Sequence, residues 1–362
     1  MNRSYGIVPR IVVAIDSFKG CITSAEANGA ACLVVNRLWP EAAVAALPVS
    51  DGGEGWLEAF RAAIGGVLRD VEVFDPLLRP IRASFLQNKE LAVIETAQAS
   101  GLTLLRPEER HPLQASSYGT GQLVIHALNN GCRRLVVGLG GSAVSDAGRG
   151  MLKAIDEAWP EGLKSDLLRQ VQITIATDVT NPLCGENGAA AVFGPQKGAT
   201  PEEVAELDRR AAAFARSMAL LSGYDCSHRP GAGAAGGLGY AFMQCLHAEC
   251  RPGIDLLMDM AGFDHLLSGA GLVITGEGSA DGQTLMGKLP MGIMKRALRQ
   301  GVPTLLIAGR VAEAERLLQA GFSRVECIHP WGFPHREAMR PEVTLRHIGE
   351  TLQRILSELM PS

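Results

Sequence analysis

Ile11-Val12-Val13-Ala14-Ile15-Asp16-Ser17-Phe18-Lys19-Gly20-Cys21-Ile22-Thr23-Ser24-Ala25-Glu26 is the stretch from which the fold can be read. Residues 11–15 are wholly apolar and mostly β-branched, the pattern of a strand buried on both faces of a parallel sheet. Asp16 to Gly20 is a polar loop. Thr23 and Glu26 have the spacing of a capping box, so a helix is expected to start there and to stop at Leu38, before Pro40. Residues 43–49 read as a second strand, followed by the loop Asp51-Gly52-Gly53-Glu54-Gly55 and another helix. In a β-α-β-α unit both loops leave the carboxyl ends of parallel strands. Asp16, Lys19, Asp51 and Glu54 are therefore expected to converge on one sheet edge.

The C-terminal third repeats this grammar, with strands expected at 272–275, 304–308 and 324–328 and helices near 291–300, 312–320 and 342–359. The middle of the chain differs. Residues 71–74, 81–85 and 91–95 are strand-like and too closely spaced for intervening helices, which predicts an antiparallel meander. Strands and helices then alternate again. The fold expected is α/β with two domains: a discontinuous parallel-sheet domain, 1–62 plus 268–362, interrupted by a mixed-sheet α/β domain at 63–267.

Composition narrows the function classes. The chain has 362 residues, 47% of them hydrophobic and 20% charged, which excludes a disordered protein. Lys and Arg total 34 against 38 Asp and Glu, a net charge of −4, and no run of five like charges occurs. That balance argues against a nucleic-acid or polybasic membrane surface. The eight cysteines are scattered with no Cys-x-x-Cys pair, as in a reduced cytoplasmic enzyme. The N-terminal residues lack the apolar run of a secretory signal. The histidines show no metal-binding spacing, and no Gly-x-Ser-x-Gly elbow is present.

Glycine is in excess, 42 residues where average usage of about 7% would give about 25. Three clusters resemble phosphate loops. Gly231-Ala232-Gly233-Ala234-Ala235-Gly236 has the dinucleotide spacing, but no strand-like run precedes it. Gly282 to Lys288 matches a Walker A loop up to the lysine, then has Leu289 where a Mg²⁺-binding hydroxyl belongs. Gly138-Leu139-Gly140-Gly141-Ser142-Ala143 follows a strand at 134–137 and precedes a helix expected near 146–155, where backbone N–H groups could hold an anion. Close backbone packing is the other reason for glycine at such positions. Further carboxylates fall just beyond expected strands: Asp178 after 171–176, and Glu277 and Asp281 after 272–275. Lys19, Lys197 and Lys288 are each flanked by glycine.

Taken in order, these segments resemble the bacterial type of glycerate kinase. The resemblance is carried by residues 16–20, 51–55, Glu95-Thr96-Ala97-Gln98, Ser117-Tyr118-Gly119-Thr120-Gly121, 138–142, Asn181-Pro182-Leu183-Cys184-Gly185, Gly194-Pro195-Gln196-Lys197-Gly198, 230–239 and 274–288. It implies phosphorylation of D-glycerate by ATP with Mg²⁺, at the 2-hydroxyl more than the 3-hydroxyl, and two α/β domains of which one is Rossmann- or flavodoxin-like. On this footing Asp178 is expected as the base, with Asp51 next, and Lys19 as a catalytic cation. Asp16, Ser17, Glu54, Gly140, Gly141, Ser142, Asp146, Asn181, Lys197, Gln283, Thr284 and Lys288 are expected to bind substrate or nucleotide, and Glu277 and Asp281 to hold Mg²⁺. The chain writes Val144-Ser145 where the family usually writes Thr-Asn, and Trp56 where a small polar residue is usual. A kinase for a related hydroxy acid and a non-catalytic relative are the alternatives, with a nicotinamide dehydrogenase a weaker third. The expected partners are small molecules, with no nucleic acid and no membrane.

Overall fold

The computed structural model describes residues 10–285 and 287–359, apart from the side chain of Gln283. The chain divides into two compact units, one made of residues up to Ser50 with those from Ile254 onward, the other of Asp51–Gly253. Strands β1 (Arg10–Ile15) and β2 (Ala43–Ala46) open the chain. The middle holds β3 (Val67–Phe74), β4 (Pro80–Asn88), β5 (Leu91–Glu95), β6 (Arg134–Gly138), β7 (Gln172–Ala176) and β8 (Glu249–Arg251). The last three are β9 (Leu272–Ala280), β10 (Thr304–Val311) and β11 (Arg324–Cys327).

In the first unit the sheet order is β11-β10-β9-β1-β2, and every pair is parallel. Successive side chains of a strand point to opposite faces, so an all-parallel sheet needs apolar cover on both. Leu305 and Ile307 pack with Ile11, Val13 and Ile15 under the helices Ser24–Leu38 and Pro341–Glu358. Leu306 and Ala308, one residue out of phase, pack under Leu289–Arg299 and Ala314–Ala320. The order reverses between β9 and β1, because the chain winds outward from that pair in both directions. In open α/β sheets the crevice at such a switch point, beyond the carboxyl ends of the strands, is where ligands bind.

In the second unit the order is β3-β4-β5-β6-β7-β8, antiparallel through β5 and parallel from β5 to β8. The helices Tyr118–Asn129 and Arg149–Ala158 bury Leu123, Val124, Met151 and Ile155 in one core with Ile94, Leu135 and Val137. This is the mixed sheet expected from the meander. Strand β8 has no counterpart in the sequence reading, since its three residues carry no apolar pattern. The helix Trp56–Ile64, read with the first unit, packs on β4 and β5 of the second. Among the described residues no helix is long and apolar enough to cross a membrane.

The carboxyl end of β1 is held by side chains. The Thr23–Glu26 capping box is present, with Thr23 Oγ1 accepting from the Glu26 N–H at 3.2 Å and Glu26 accepting from the Thr23 N–H at 2.8 Å. One turn on, the buried amide of Asn28 donates to the Ile15 carbonyl at 2.9 Å and accepts from the Ile15 N–H at 3.3 Å. Strand β2 stops short of the expected Val49, because the Val49 N–H turns to Ser24 Oγ at 2.8 Å. Replacing Asn28 by Leu strands the Ile15 N–H in an apolar core and leaves its carbonyl with the Ser24 hydroxyl alone, which should cost about 1–3 kcal/mol. A lowered urea midpoint for Asn28→Leu is the expected outcome, and a wild-type midpoint would show that Asn28 does not anchor the strand.

Candidate active site

The first unit brings the loops after β1 and β9 side by side, since Ile15 pairs with Gly276 and the Asp16 N–H donates to the Gly276 carbonyl at 2.9 Å. Asp16 Oδ1 then accepts from the Ser17 N–H at 2.7 Å. Phe18 and Ile22 close a tight loop by exchanging backbone hydrogen bonds, with Gly20 at φ +74° and Lys19 exposed at its tip. Gly278 lies against the Phe18–Lys19 backbone. Strand β9 runs on to Ala280, past the Thr275 end expected from sequence, because β10 pairs with it as far as Val311. Glu277 therefore sits in a strand, not in a loop after one.

Thr284 links the Glu277 carboxylate to the backbone of Asp281. Its buried hydroxyl donates to Glu277 Oε1 at 2.7 Å and accepts from the Asp281 N–H at 3.0 Å. Burial pushes the Glu277 carboxyl above its ordinary pKa; the Thr284 hydrogen bond and the charges of Lys288 and Lys19 oppose that rise, while Asp281 adds to it. Lys288 stands at the start of the helix Leu289–Arg299. Asp16, Ser17, Lys19, Glu277, Asp281, Thr284 and Lys288 are thus gathered around the β1–β9 switch point. The expectation for the Gln283 side chain lies outside the described residues.

The second unit gathers the rest. The loop 51–55 belongs to this unit and not to the edge that carries Asp16 and Lys19, so the four residues expected on one sheet edge divide between two. The Gly140 N–H donates to the Gly52 carbonyl at 2.8 Å, and the Leu139 N–H to the Ala176 carbonyl at 3.1 Å. A methyl group on Gly138 would lie 2.6 Å from the Gly52 carbonyl oxygen. The glycines of 138–140 are therefore required by the approach of another backbone. The helix that follows begins only at Arg149, so the glycine loop is not its amino terminus as expected. Asp178 Oδ1 accepts from the Gly253 N–H at 3.2 Å, and the carbonyl of Asp51 also abuts Gly253. Asp51, Glu54 and Asp178 thereby share the carboxyl ends of β6 and β7.

Three of the expected contacts are engaged within the unit itself. Lys197 is 3% exposed, and its Nζ donates to the Val144 carbonyl at 2.6 Å and to Ser142 Oγ at 3.1 Å. Burial pulls this lysine down to about 8, with Asp146 opposing the shift. Asp146 accepts from Ser117 Oγ at 2.8 Å and from the N–H groups of Ser117, Gly148 and Gly150. Asn181 donates to the Asn187 carbonyl at 2.8 Å. Val144 is fully buried in the core, so its side chain faces no ligand from solvent. Among the described residues no group of three or more His, Cys, Asp or Glu side chains is arranged to hold a metal ion. The switch-point pair Glu277 and Asp281 still suits Mg²⁺, which takes one or two carboxylates and completes its shell with phosphate oxygens and water.

Sequence reasoning gave no role to Glu95, although it ends a strand as the other carboxylates do. Its carboxyl is buried at the end of β5, and Oε2 has no hydrogen-bond partner among the described residues. Burial, then the nearby charge of Glu58, pushes it up to about 7, with Glu54 adding to the rise and the N–H groups of Leu57 and Trp56 opposing it. A carboxyl raised in the folded state binds a proton that the unfolded chain has released, so its stabilising contribution is present below about 4.5 and lost as pH rises through about 7. Urea midpoints of the wild type should therefore fall between pH 5 and 8, by about 1–3 kcal/mol in stability. Glu95→Gln should flatten that fall, and an equal fall in both proteins would mean that Glu95 is ionised throughout.

Comparison with known proteins bears on the whole chain. The glycerate kinase family model matches residues 11–161 and 161–359. A glycerate kinase of Halalkalibacterium halodurans is 40% identical, over 87% of this chain and 90% of that protein. One from Bacillus subtilis is 37% identical over 98% and 97%, and the glycerate 2-kinase of Escherichia coli is 36% identical over 84% and 86%. A crystal structure from Salmonella typhimurium, assigned as glycerate kinase 2, superposes with a TM-score of 0.82 at 35% identity, covering 97% of this chain and 98% of that one. With its motifs in order along both units and relatives matched over nearly their full length, the chain belongs to the glycerate kinase family and is a kinase enzyme.

Proposed function

We propose that the enzyme transfers the terminal phosphoryl group of ATP to the 2-hydroxyl of D-glycerate, giving 2-phosphoglycerate and ADP. The observation that carries this reading is the convergence of two lysines and two carboxylates on the β1–β9 switch point, where an α/β sheet presents ligands. The position of transfer is favoured by the name of the Escherichia coli relative, a glycerate 2-kinase. We also infer that the two units are separate domains, one discontinuous, and that the site of action is the cytoplasm, in keeping with eight free cysteines.

Phosphoryl transfer asks a protein for charge neutralisation, in-line positioning and a group to take the hydroxyl proton. Lys19 and Lys288 supply positive charge to phosphate or carboxylate oxygens, with Asp16 and Ser17 shaping the loop that carries Lys19. Glu277 and Asp281 would hold Mg²⁺, which when bound offsets the negative charge of the phosphate oxygens. Thr284 holds the Glu277 carboxylate and the backbone of Asp281. In the second unit Asp178, with Asp51 next, accepts the hydroxyl proton as the oxygen forms its bond to phosphorus and ADP leaves. Glu54, Gly140, Gly141 and Ser142 frame the acceptor, while Asp146, Asn181 and Lys197 hold those loops in place.

Phosphorus NMR of the product tests the reaction. Wild-type protein with Mg²⁺, ATP and D-glycerate should yield 2-phosphoglycerate, and Lys19→Met should slow its appearance by about 10²–10³-fold. Formation of 3-phosphoglycerate would overturn the assigned hydroxyl. No phosphoglycerate at saturating substrates would overturn the reaction, and unchanged kinetics in Lys19→Met would remove that lysine from it.

A further inference from the structure

The second unit contains a cavity of about 320 Å³ between the start of the helix Arg149–Ala158, the long helix Pro201–Ser222 and the segment 112–116. Its polar lining is unusual. Ser145 is 7% exposed, lines the cavity, and its buried hydroxyl has no hydrogen-bond partner among the described residues. A buried hydroxyl left unpaired costs about 1–3 kcal/mol, so a native structure that keeps one has a reason to. Three cationic side chains, Arg149, Lys153 and Arg210, line the same cavity. Among the described residues the only carboxylate lining it is Asp146, which already accepts four hydrogen bonds from Ser117, Gly148 and Gly150.

The cations differ in what they already hold. Arg210 pairs with Glu206 at 2.6 Å, and Lys153 approaches Glu157 at 3.8 Å, both at exposed positions where such pairs are worth little. Arg149 makes no ion pair among the described residues; its guanidinium lies 5.9 Å from the centre of the Phe214 ring. Arg149 is thus the cation of the three without an ion pair among the described residues, and the carboxylate of Asp146 beside it is already occupied, so an entering anion meets positive charge. Leu207 and Ala211 supply an apolar wall. At this volume the cavity stands at the small end of ligand sites, too small for a nucleotide and adequate for a metabolite of a few carbons.

We propose that this cavity is a binding site for a small organic anion, whose carboxylate or phosphate group pairs with Arg149, Lys153 and Arg210 and accepts a hydrogen bond from Ser145. None of these four residues has a part in the phosphoryl transfer, so the site stands or falls independently of that reaction.

Calorimetric titration of the full chain with inorganic phosphate, with D-glycerate and with 3-phosphoglycerate tests it, on wild type, Arg149→Met, Lys153→Gln and Ser145→Ala. At least one probe should bind the wild type and bind Arg149→Met about tenfold or more weakly, since a charge-assisted hydrogen bond is typically worth about 1.5–3 kcal/mol. Ser145→Ala should weaken the same probe. Loss with phosphate and 3-phosphoglycerate alone assigns the site to phosphate groups, and loss with D-glycerate alone assigns it to carboxylates. Lys153 is exposed, so Lys153→Gln preserves the test if Arg149→Met does not fold. Equal affinities in wild type and all three variants, or no binding of any probe to the wild type, would overturn the proposal.

Discussion

Two loops of the second unit meet backbone to backbone, and the geometry of that unit's site depends on their being able to. Gly52 and Gly53 lie on Gly138 and Gly140 so closely that a methyl group on Gly140 would sit well inside 3.0 Å of the Gly53 backbone. The approach is sealed by the hydrogen bond from the Gly140 N–H to the Gly52 carbonyl, 2.8 Å long. It places Asp51 and Glu54 over the ends of β6 and β7 and brings the following helix, Trp56–Ile64, onto the sheet with Trp56 fully buried. The indole of Trp56 fills the space beside Gly138, where a side chain on residue 138 would collide with it. A small polar residue at position 56 would leave that space empty.

Charge is treated alike in both units. Each buried ionisable group at the sites is tied to its own unit: Lys197 to the 142–144 loop, Glu95 to the start of the Trp56–Ile64 helix, Glu277 to Thr284. Burial penalises the charged form of all three and moves their pKa values toward neutrality, down for the lysine and up for the carboxyls. Groups held this way are set in position before any ligand arrives, which is what electrostatic catalysis requires. The exposed groups Lys19, Asp178 and Glu54 remain at loop tips, where they can meet a substrate.

Much of this was legible in the sequence where local rules coincide with the tertiary outcome. The run 11–15, the Thr23–Glu26 box and the meander before Glu95 are each decided by neighbours within a few residues, and all three are present. What was missed depends on partners far along the chain. Strand β9 extends to Ala280 because β10 runs beside it, and β8 exists because β7 offers an edge. The helix Trp56–Ile64 follows β2 in sequence but buries Trp56 and Phe60 in the other unit, a choice its amphipathic pattern cannot express. The cluster 231–236 is a packing device: Ala235, Gly236 and Gly237 adopt left-handed φ of +50°, +67° and +92°, and the glycines admit the 144–147 backbone. Of the site residues, those at strand ends were readable from position alone, whereas the inward turn of Lys197 and the burial of the Glu95 carboxyl needed the packed core.

Gly140→Ala tests the central constraint most directly, because it adds one methyl group at the closest point of the two loops and changes no charge. The loops must separate or shift to admit it, and a displacement of about 1 Å at a catalytic site can cost roughly a hundredfold in rate. Steady-state kinetics of glycerate phosphorylation by folded Gly140→Ala protein should show kcat/KM lowered by about that factor. A kcat/KM equal to that of the wild type would contradict the account, since the site would then not depend on the contact between the loops.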